Sequence, residues 1–262
     1  MSDFLDTVIA ERRADAQGPR GAIRYATRAG MTRPSFPDAI RAARTRGRIA
    51  VIAEVKRRSP AQGPLVGNAD AVAVARTYED GGAAAISVLT EPHHWDGSMD
   101  DLAAVAAAVR IPVLCKDIVV DARQLVDAEA AGASAVLLIA EALDDETLAA
   151  FIERATALGM SVLVEAHEHR AFARAVASGA TIVGVNARNL RAPVEIDPDR
   201  IEALHQLARP GQILIAESGI ASVTDVEVLP GRVDGVLVGT ALMRSPDPRA
   251  LLRSLVDARR SI

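Results

Sequence analysis

Eight short runs of β-branched and aliphatic residues recur along the 262-residue chain, separated by polar loops and Ala-rich helical stretches. The runs are Ala50–Lys56, Ala85–Thr90, Val113–Lys116, Ala135–Ile139, Ser161–Glu165, Thr181–Asn186, Ile213–Glu217 and Gly235–Val238. Strands that alternate with helices run parallel, because each helix carries the chain back to the start of the next strand with one handedness. Eight such units predict an α/β protein with a closed (β/α)₈ TIM barrel. The alternative is an open doubly wound sheet. Against it, Lys56-Arg-Arg-Ser-Pro60 stands after the first run, where a dinucleotide fold would carry a Gly-rich fingerprint.

Local signals agree with that count. The helical stretches end in Gly82-Ala83, Gly132-Ala133, Gly159, Gly179-Ala180 and Gly211, and glycine best tolerates the left-handed turn that closes a helix. Asp121, Asp144, Asp197-Pro198 and Ser222 mark helix starts. Half the residues are hydrophobic but only 3% are aromatic, so the core must be built from Ala, Val, Leu and Ile, as in buried parallel sheets.

Ahead of the barrel, Asp3 to about Ala16 places Phe4, Leu5, Val8 and Ile9 at helical spacing, and a short helix is expected at about Pro37–Arg46. Between them, Gln17–Ser35 carries Gly18-Pro19, Gly21, Gly30 and Pro34 and reads as a connection. Residues 1–48 are too few and too poor in apolar groups for a core of their own, which predicts a helical extension packed on a barrel spanning 49–262.

Charge and cysteine usage narrow the function classes. A net charge of −4, spread along the chain, gives no footprint for nucleic acid. The single cysteine, Cys115, cannot form an intrachain disulfide and fits a reducing compartment. With no signal-peptide pattern and no apolar run of spanning length, the expectation is a soluble cytoplasmic protein without membrane contact. A monomer is the working expectation for assembly.

The polar residues fall into register at the strand ends. On the first run Ile52, Glu54 and Lys56 share one face, and an acid and a base on a buried strand are costly unless paired. Taken alone they could be a structural ion pair. The other runs close on Thr90, Lys116, Glu165, Asn186 and Glu217, above apolar strand middles. Parity puts Lys116 with Leu114, Glu165 with Leu163, Asn186 with Gly184 and Glu217 with Ile215, while Cys115 points toward the helices. Barrels carry their chemistry at this carboxyl-end face. Glu217-Ser-Gly-Ile220 and Val238-Gly-Thr240 form small-residue turns after the last two strands, where barrels commonly bind phosphate through backbone N–H groups. A phosphorylated small molecule is the leading ligand class. His93-His94 has no third ligand nearby and reads as loop rather than metal site.

These segments resemble a known family. Ile52-Ala-Glu-Val-Lys-Arg-Arg-Ser-Pro60, Ser87-Val-Leu-Thr90 with Trp95-Asp-Gly-Ser98, Val113-Leu-Cys-Lys-Asp117, Leu137-Leu-Ile139, Leu163-Val-Glu-Ala-His167, Asn186-Ala-Arg-Asn-Leu190 and Glu217-Ser-Gly-Ile220 are similar, in order and spacing, to indole-3-glycerol-phosphate synthase. The resemblance spans essentially the whole chain. It implies ring closure, decarboxylation and dehydration of 1-(2-carboxyphenylamino)-1-deoxyribulose 5-phosphate to indole-3-glycerol phosphate, a step of tryptophan biosynthesis needing no metal or organic cofactor.

The resemblance also implies roles. Lys116 is the expected general acid, its pKa lowered toward working pH by neighbouring cations and apolar walls. Glu165 is the second acid/base. Lys56 engages the substrate carboxylate and is held by Glu54, Asn186 orients the hydroxyl region, Glu217 bonds the ribulose part, and Arg188 binds the anthranilate carboxylate. Ser218, Gly219, Gly239 and Thr240 hold the phosphate. Ser59, Leu89, Leu137, Leu190 and Leu237 line the mouth around the substrate.

The chain departs from the family at Ile118, where Phe usually stacks on the substrate ring, and at Ala61-Gln-Gly, where Ser-Lys-Gly is common. It departs again at Ala187 and at Trp95, a position more often Phe. Trp95 then becomes the residue to supply the stacking face. A paralogue acting on a related anilino-sugar phosphate and a non-catalytic phosphate-binding barrel remain the alternatives. The isomerase of the same pathway is disfavoured, because it relies on a Cys and an Asp, whereas Cys115 has outward parity.

Overall fold

The computed structural model describes residues 3–18, 33–67 and 69–259. Within them, eight parallel strands close a barrel: β1 (Ala50–Val55), β4 (Ala85–Leu89), β5 (Val113–Lys116), β6 (Ala135–Ile139), β7 (Ser161–Ala166), β8 (Ile182–Asn186), β9 (Ile213–Glu217) and β10 (Gly235–Val238). A two-stranded hairpin, β2 (Arg58–Ser59) with β3 (Gly63–Pro64), fills the first loop. No periodic signal in so short a stretch announces it. The expected strands are found with ends shifted by at most one residue.

The helices that cover the barrel are α3 (Ala71–Gly81), α4 (Met99–Ala108), α5 (Ala122–Ala130), α6 (Asp145–Ala157), α7 (His169–Ala177), α8 (Arg200–Leu204), α9 (Val223–Glu227), α10 (Thr240–Arg244) and α11 (Pro248–Val256). Asp121 and Ser222 form capping boxes with Gln124 and Asp225, and Asp144 accepts from the Thr147 N–H, so the first-turn donors are satisfied by side chains. The start expected at Asp197-Pro198 lies further on, at Arg200: Asp197 Oδ1 accepts from the Asp199 N–H at 3.1 Å, a local turn that delays the helix. Gly82, Gly132, Gly159, Gly179 and Gly211 all have φ between 77° and 95°; the first four close their helices in the left-handed region, whereas Gly211 lies in a separate turn, Arg209–Gln212, just before β9.

Among the described residues two helices precede β1. The first, α1 (Phe4–Gln17), is capped by Asp3 and buries Leu5 and Val8; the second, α2 (Phe36–Thr45), buries Phe36, Ile40 and Ala43. The connection expected over 17–35 falls mostly outside the described residues. The helix α2 packs at the amino-terminal ends of the strands, where Arg44 pairs with buried Asp234 just ahead of β10. At the opposite end, α1 crosses the strand carboxyl ends: the Phe4 N–H donates to Arg191 O at 3.2 Å, and Arg12 forks onto Asp117 at 2.8 and 2.9 Å. The core itself is aliphatic, with Ile52, Leu114, Leu137, Leu163 and Ile215 all buried inside or along the barrel. No helix among the described residues is long and apolar enough to cross a membrane.

Candidate active site

Strand register decides which polar side chains meet. Leu89 lies beside Lys116, Ile139 beside Glu165, Glu165 beside Gly184, and Asn186 beside Glu217. Because side chains alternate, each charged residue shares the inner face with the apolar residue two positions earlier, and the charges form one layer above a filled core. Lys56 Nζ lies 2.8 Å from Glu54 Oε1, and Glu54 is buried. Lys116 Nζ lies 3.3 Å from Glu165 Oε2 and 3.5 Å from Glu217 Oε2, both carboxylates being about 1% exposed.

Two glycines make this layer possible. A Cβ on Gly184 would stand 2.3 Å from Glu217 Oε1, so the bare backbone of β8 lets carboxylates from β7 and β9 approach across it. Similarly, a Cβ on Gly239 would stand 2.3 Å from Glu54 Oε1 and 2.9 Å from Lys56 Nζ. Here glycine is needed for close approach rather than for its φ.

The electrostatics differ from expectation at Lys116. Burial pulls its pKa down, but Glu165, Glu217 and Glu54 together outweigh burial and hold it above the ordinary lysine value. The cationic neighbours assumed for a lowered pKa are outnumbered by three carboxylates. Burial, reinforced by Glu165, pushes Glu217 well above the usual carboxylate range. Burial also opposes ionisation of Glu54, yet Lys56 and Lys116 overcome it and keep that carboxyl below its usual value. The layer thus holds ammonium groups beside carboxyl groups whose proton affinities are pushed apart, Glu54 downward and Glu217 upward, which suits proton transfer in both directions.

Above the layer opens a cavity of about 350 Å³, within the range of small-molecule sites. Leu89, Trp95, Ile118, Leu137, Leu190 and Leu237 form its apolar wall. Arg188 lines the same cavity, its side chain donating to Pro193 O. Ser218, Gly219, Gly239 and Thr240, which directly follow the neighbouring strands β9 and β10, also line it. Ser218 and Gly219 have φ of 67° and 80°, a sharp turn.

Two expected positions fall elsewhere. Ser59 is not on the cavity wall: it is buried in the β2–β3 hairpin, its carbonyl accepting from the N–H of Gln62, the hairpin residue that does reach the cavity, at 3.1 Å. Thr90 is turned away as well. With β4 ending at Leu89, which faces inward, Thr90 has the outward parity and donates to Asp117 Oδ2 at 2.7 Å. Cys115 lies on that outward side, its thiol pushed by burial up to about 12 and so unreactive.

Several wall residues carry no local signal. Glu91, Asp117 and Gln62 reach the cavity from loops, and Arg244 reaches it from α10. Arg244 alone has a pattern that points to it, four residues after Thr240 on the same short helix. His93 and His94 pair with acids of α1, Asp15 at 2.9 Å and Glu11 at 2.6 Å. Among the described residues no group of three or more His, Cys, Asp or Glu is arranged to hold a metal ion.

Comparison with known proteins gives a consistent result. Residues 5–255 match the profile of the family Indole-3-glycerol phosphate synthase. The chain is 44% identical over 256 residues to the indole-3-glycerol phosphate synthase of Mycolicibacterium gilvum, covering 97% of this chain and 94% of the relative. It is 47% identical over 212 residues to that of Parafrankia sp., covering 80% and 79%. Among solved structures, a chain of tryptophan synthase from M. tuberculosis superposes with a TM-score of 0.64 at 14% identity, covering 88% of this chain and all of that one; this likeness shows the barrel fold alone.

Proposed function

The chain belongs to the indole-3-glycerol-phosphate synthase family, and from that membership we infer that it converts 1-(2-carboxyphenylamino)-1-deoxyribulose 5-phosphate to indole-3-glycerol phosphate, releasing carbon dioxide and water. The observation that carries the residue assignments is Lys116 Nζ held between Glu165 and Glu217 at the cavity floor.

Ring closure forms a carbon–carbon bond between the carboxylate-bearing ring carbon and the ketone carbon, and the ketone oxygen must gain a proton. Lys116 is the donor. Its raised pKa keeps it charged at neutral pH, which suits an electrostatic clamp on a developing alkoxide as well as a proton source. Carbon dioxide then leaves from the tetrahedral ring carbon, and the aromatic ring re-forms. Dehydration follows: the hydroxyl departs with a proton from the acid side of the cluster, and Glu165 takes the proton from the adjacent carbon. Glu217, whose proton affinity burial and Glu165 raise, bonds the ribulose oxygens and exchanges a proton with the cluster.

Lys56, paired to Glu54, supplies positive charge for the substrate carboxylate together with Arg188, and Asn186 orients the hydroxyl-bearing carbons. The turns at Ser218-Gly219 and Gly239-Thr240 offer backbone N–H groups for the phosphate. A substrate with a carboxylate at one end and a phosphate at the other suits a cavity that has Arg188 in its wall and the small-residue turns beside Lys56.

The test is a fluorescence assay for indole formation from 1-(2-carboxyphenylamino)-1-deoxyribulose 5-phosphate, with purified wild type and Lys116→Met in the presence of chelator. Turnover that collapses in the variant supports both the reaction and its acid. Wild-type protein that binds the substrate without turning it over would sink the assignment.

A further inference from the structure

The loop after β4 is organised around one carboxylate. Glu91 is fully buried and accepts three successive backbone N–H groups: that of His93 on Oε1 at 3.0 Å, and those of His94 and Trp95 on Oε2 at 2.7 and 3.1 Å. Its carbonyl accepts from the Gly97 N–H at 2.9 Å. Gly97 closes the turn where no side chain fits, since a Cβ would lie 2.5 Å from Leu89 O. Such a turn, with its donors gathered on a buried anion, has little freedom to move.

At the crest of this turn Trp95 faces the cavity, and among the described residues it is the sole aromatic ring that lines it. From outside, Phe4 of α1 meets the Trp95 ring edge-on at 5.9 Å and the His94 ring at 4.9 Å, while His94 Nε2 lies 2.6 Å from Glu11 Oε2. Beside it, the end of the neighbouring strand β5 offers only aliphatic Ile118. Among the described residues an aromatic substrate half therefore has one ring to stack on, and that ring is oriented by the peptide units that Glu91 holds.

We propose that Glu91 is a positioning residue that sets Trp95 as the stacking face for the anthranilate ring, and thereby determines affinity for the aryl half of the substrate, with Phe4 as the outer buttress. This rests on the ring-closing reaction assigned above. Glu91 acts through Trp95, since both of its carboxylate oxygens are engaged by backbone.

The experiment combines kinetics with the emission of Trp95, the only tryptophan in the chain. Wild-type turnover is established first, so failure of the reaction and failure of the positioning role differ: no product in the one case, product with an unaltered KM in the other. In Glu91→Ala, KM rises about tenfold, the scale of a lost stacked pair, while kcat stays within about twofold. Its Trp95 emission shifts to the red. Glu91→Gln, which keeps one acceptor oxygen, falls between. Ribulose 5-phosphate, which has the sugar and phosphate but no ring, inhibits wild type and variant equally. Adding Ile118→Phe to Glu91→Ala recovers part of the lost affinity by placing a second ring on the cavity wall. An unchanged KM, or equal weakening of substrate and ribulose 5-phosphate, overturns the proposal. Should Glu91→Ala fail to fold, Phe4→Leu gives the same selective rise in KM at smaller size, about threefold, and a KM unchanged there overturns it too.

Discussion

Gly184 of β8 leaves empty the space that Glu217 of β9 occupies, a methyl group there falling 2.3 Å from Glu217 Oε1. The clash is with the end of a flexible side chain, so in Gly184→Ala the carboxyl swings aside and the fold survives. What is lost is the alignment of Glu217 with Glu165 and Lys116. The expected result is a kcat lower by about a hundredfold, the cost of misplacing a reacting group by an ångström or so, with a thermal midpoint close to wild type. A kcat near wild type would mean that Glu217 is not needed at this position.

Glu217 gives a prediction for pH. Its folded-state pKa is raised above its unfolded value by burial and by Glu165, so between those two values the native state binds more protons than the unfolded chain. This group's contribution to stability is complete below the unfolded pKa and is lost as pH rises through the folded one. Glu217→Gln removes the titration. It should therefore melt above wild type at pH 8, by about 2–4 °C if the penalty removed is near 1 kcal/mol, and the difference should shrink toward pH 4. A gain that does not change with pH would contradict the raised pKa. The variant should also be a poor catalyst, because the stabilised form lacks the proton-bearing group.

The strands and their inward residues were legible because they rest on period-two patterning, which is local. Lys116, Glu165, Asn186 and Glu217 could be placed on one face by counting from Leu114, Leu163, Gly184 and Ile215. Thr90 shows the limit: one residue of uncertainty in where β4 ends reverses the side to which it points. Ser59 was lost for a related reason, since a two-residue strand such as β2 has no period to detect. The Lys116 pKa depends on carboxylates from β1, β7 and β9, and their sum is visible only once register brings them together. Glu91 escaped because its ligands are backbone N–H groups, which every residue has.

The N-terminal helix is tied to the site by a pair of this long-range kind. Arg12 forks onto Asp117, a carboxylate next to Lys116 and 3% exposed on its side chain. Burial pushes the Asp117 pKa up and Arg12 only partly offsets it. Arg12→Ala leaves Asp117 buried without its cation, a loss of about 3 kcal/mol in urea unfolding. Asp117→Asn in the same chain should restore part of it, because a neutral side chain no longer needs the guanidinium. Equal stability of the single and double variants would show that the pair contributes packing rather than charge compensation.

His167 supports Asn186 from behind. Its Nδ1 lies 2.9 Å from Asn186 O, a carbonyl that can only accept, so Nδ1 carries the proton. Asn186 Oδ1 in turn accepts from the Arg188 N–H at 3.0 Å, which links the imidazole to the start of the loop bearing the Arg188 cation. His167 itself is held by Glu141, whose Oε1 accepts the His167 and Glu168 N–H groups at 2.7 and 2.9 Å. His167→Ala strands a buried carbonyl, at a cost of about 1–3 kcal/mol, and lets the β8 end shift. The expected kinetic outcome is a raised KM together with a lowered kcat, since both Arg188 and Asn186 move, in contrast to the selective KM effect at Glu91. Urea unfolding and steady-state kinetics on the same preparation would check both halves. A variant as stable as wild type would show that the His167–Asn186 hydrogen bond contributes nothing to holding the strand end.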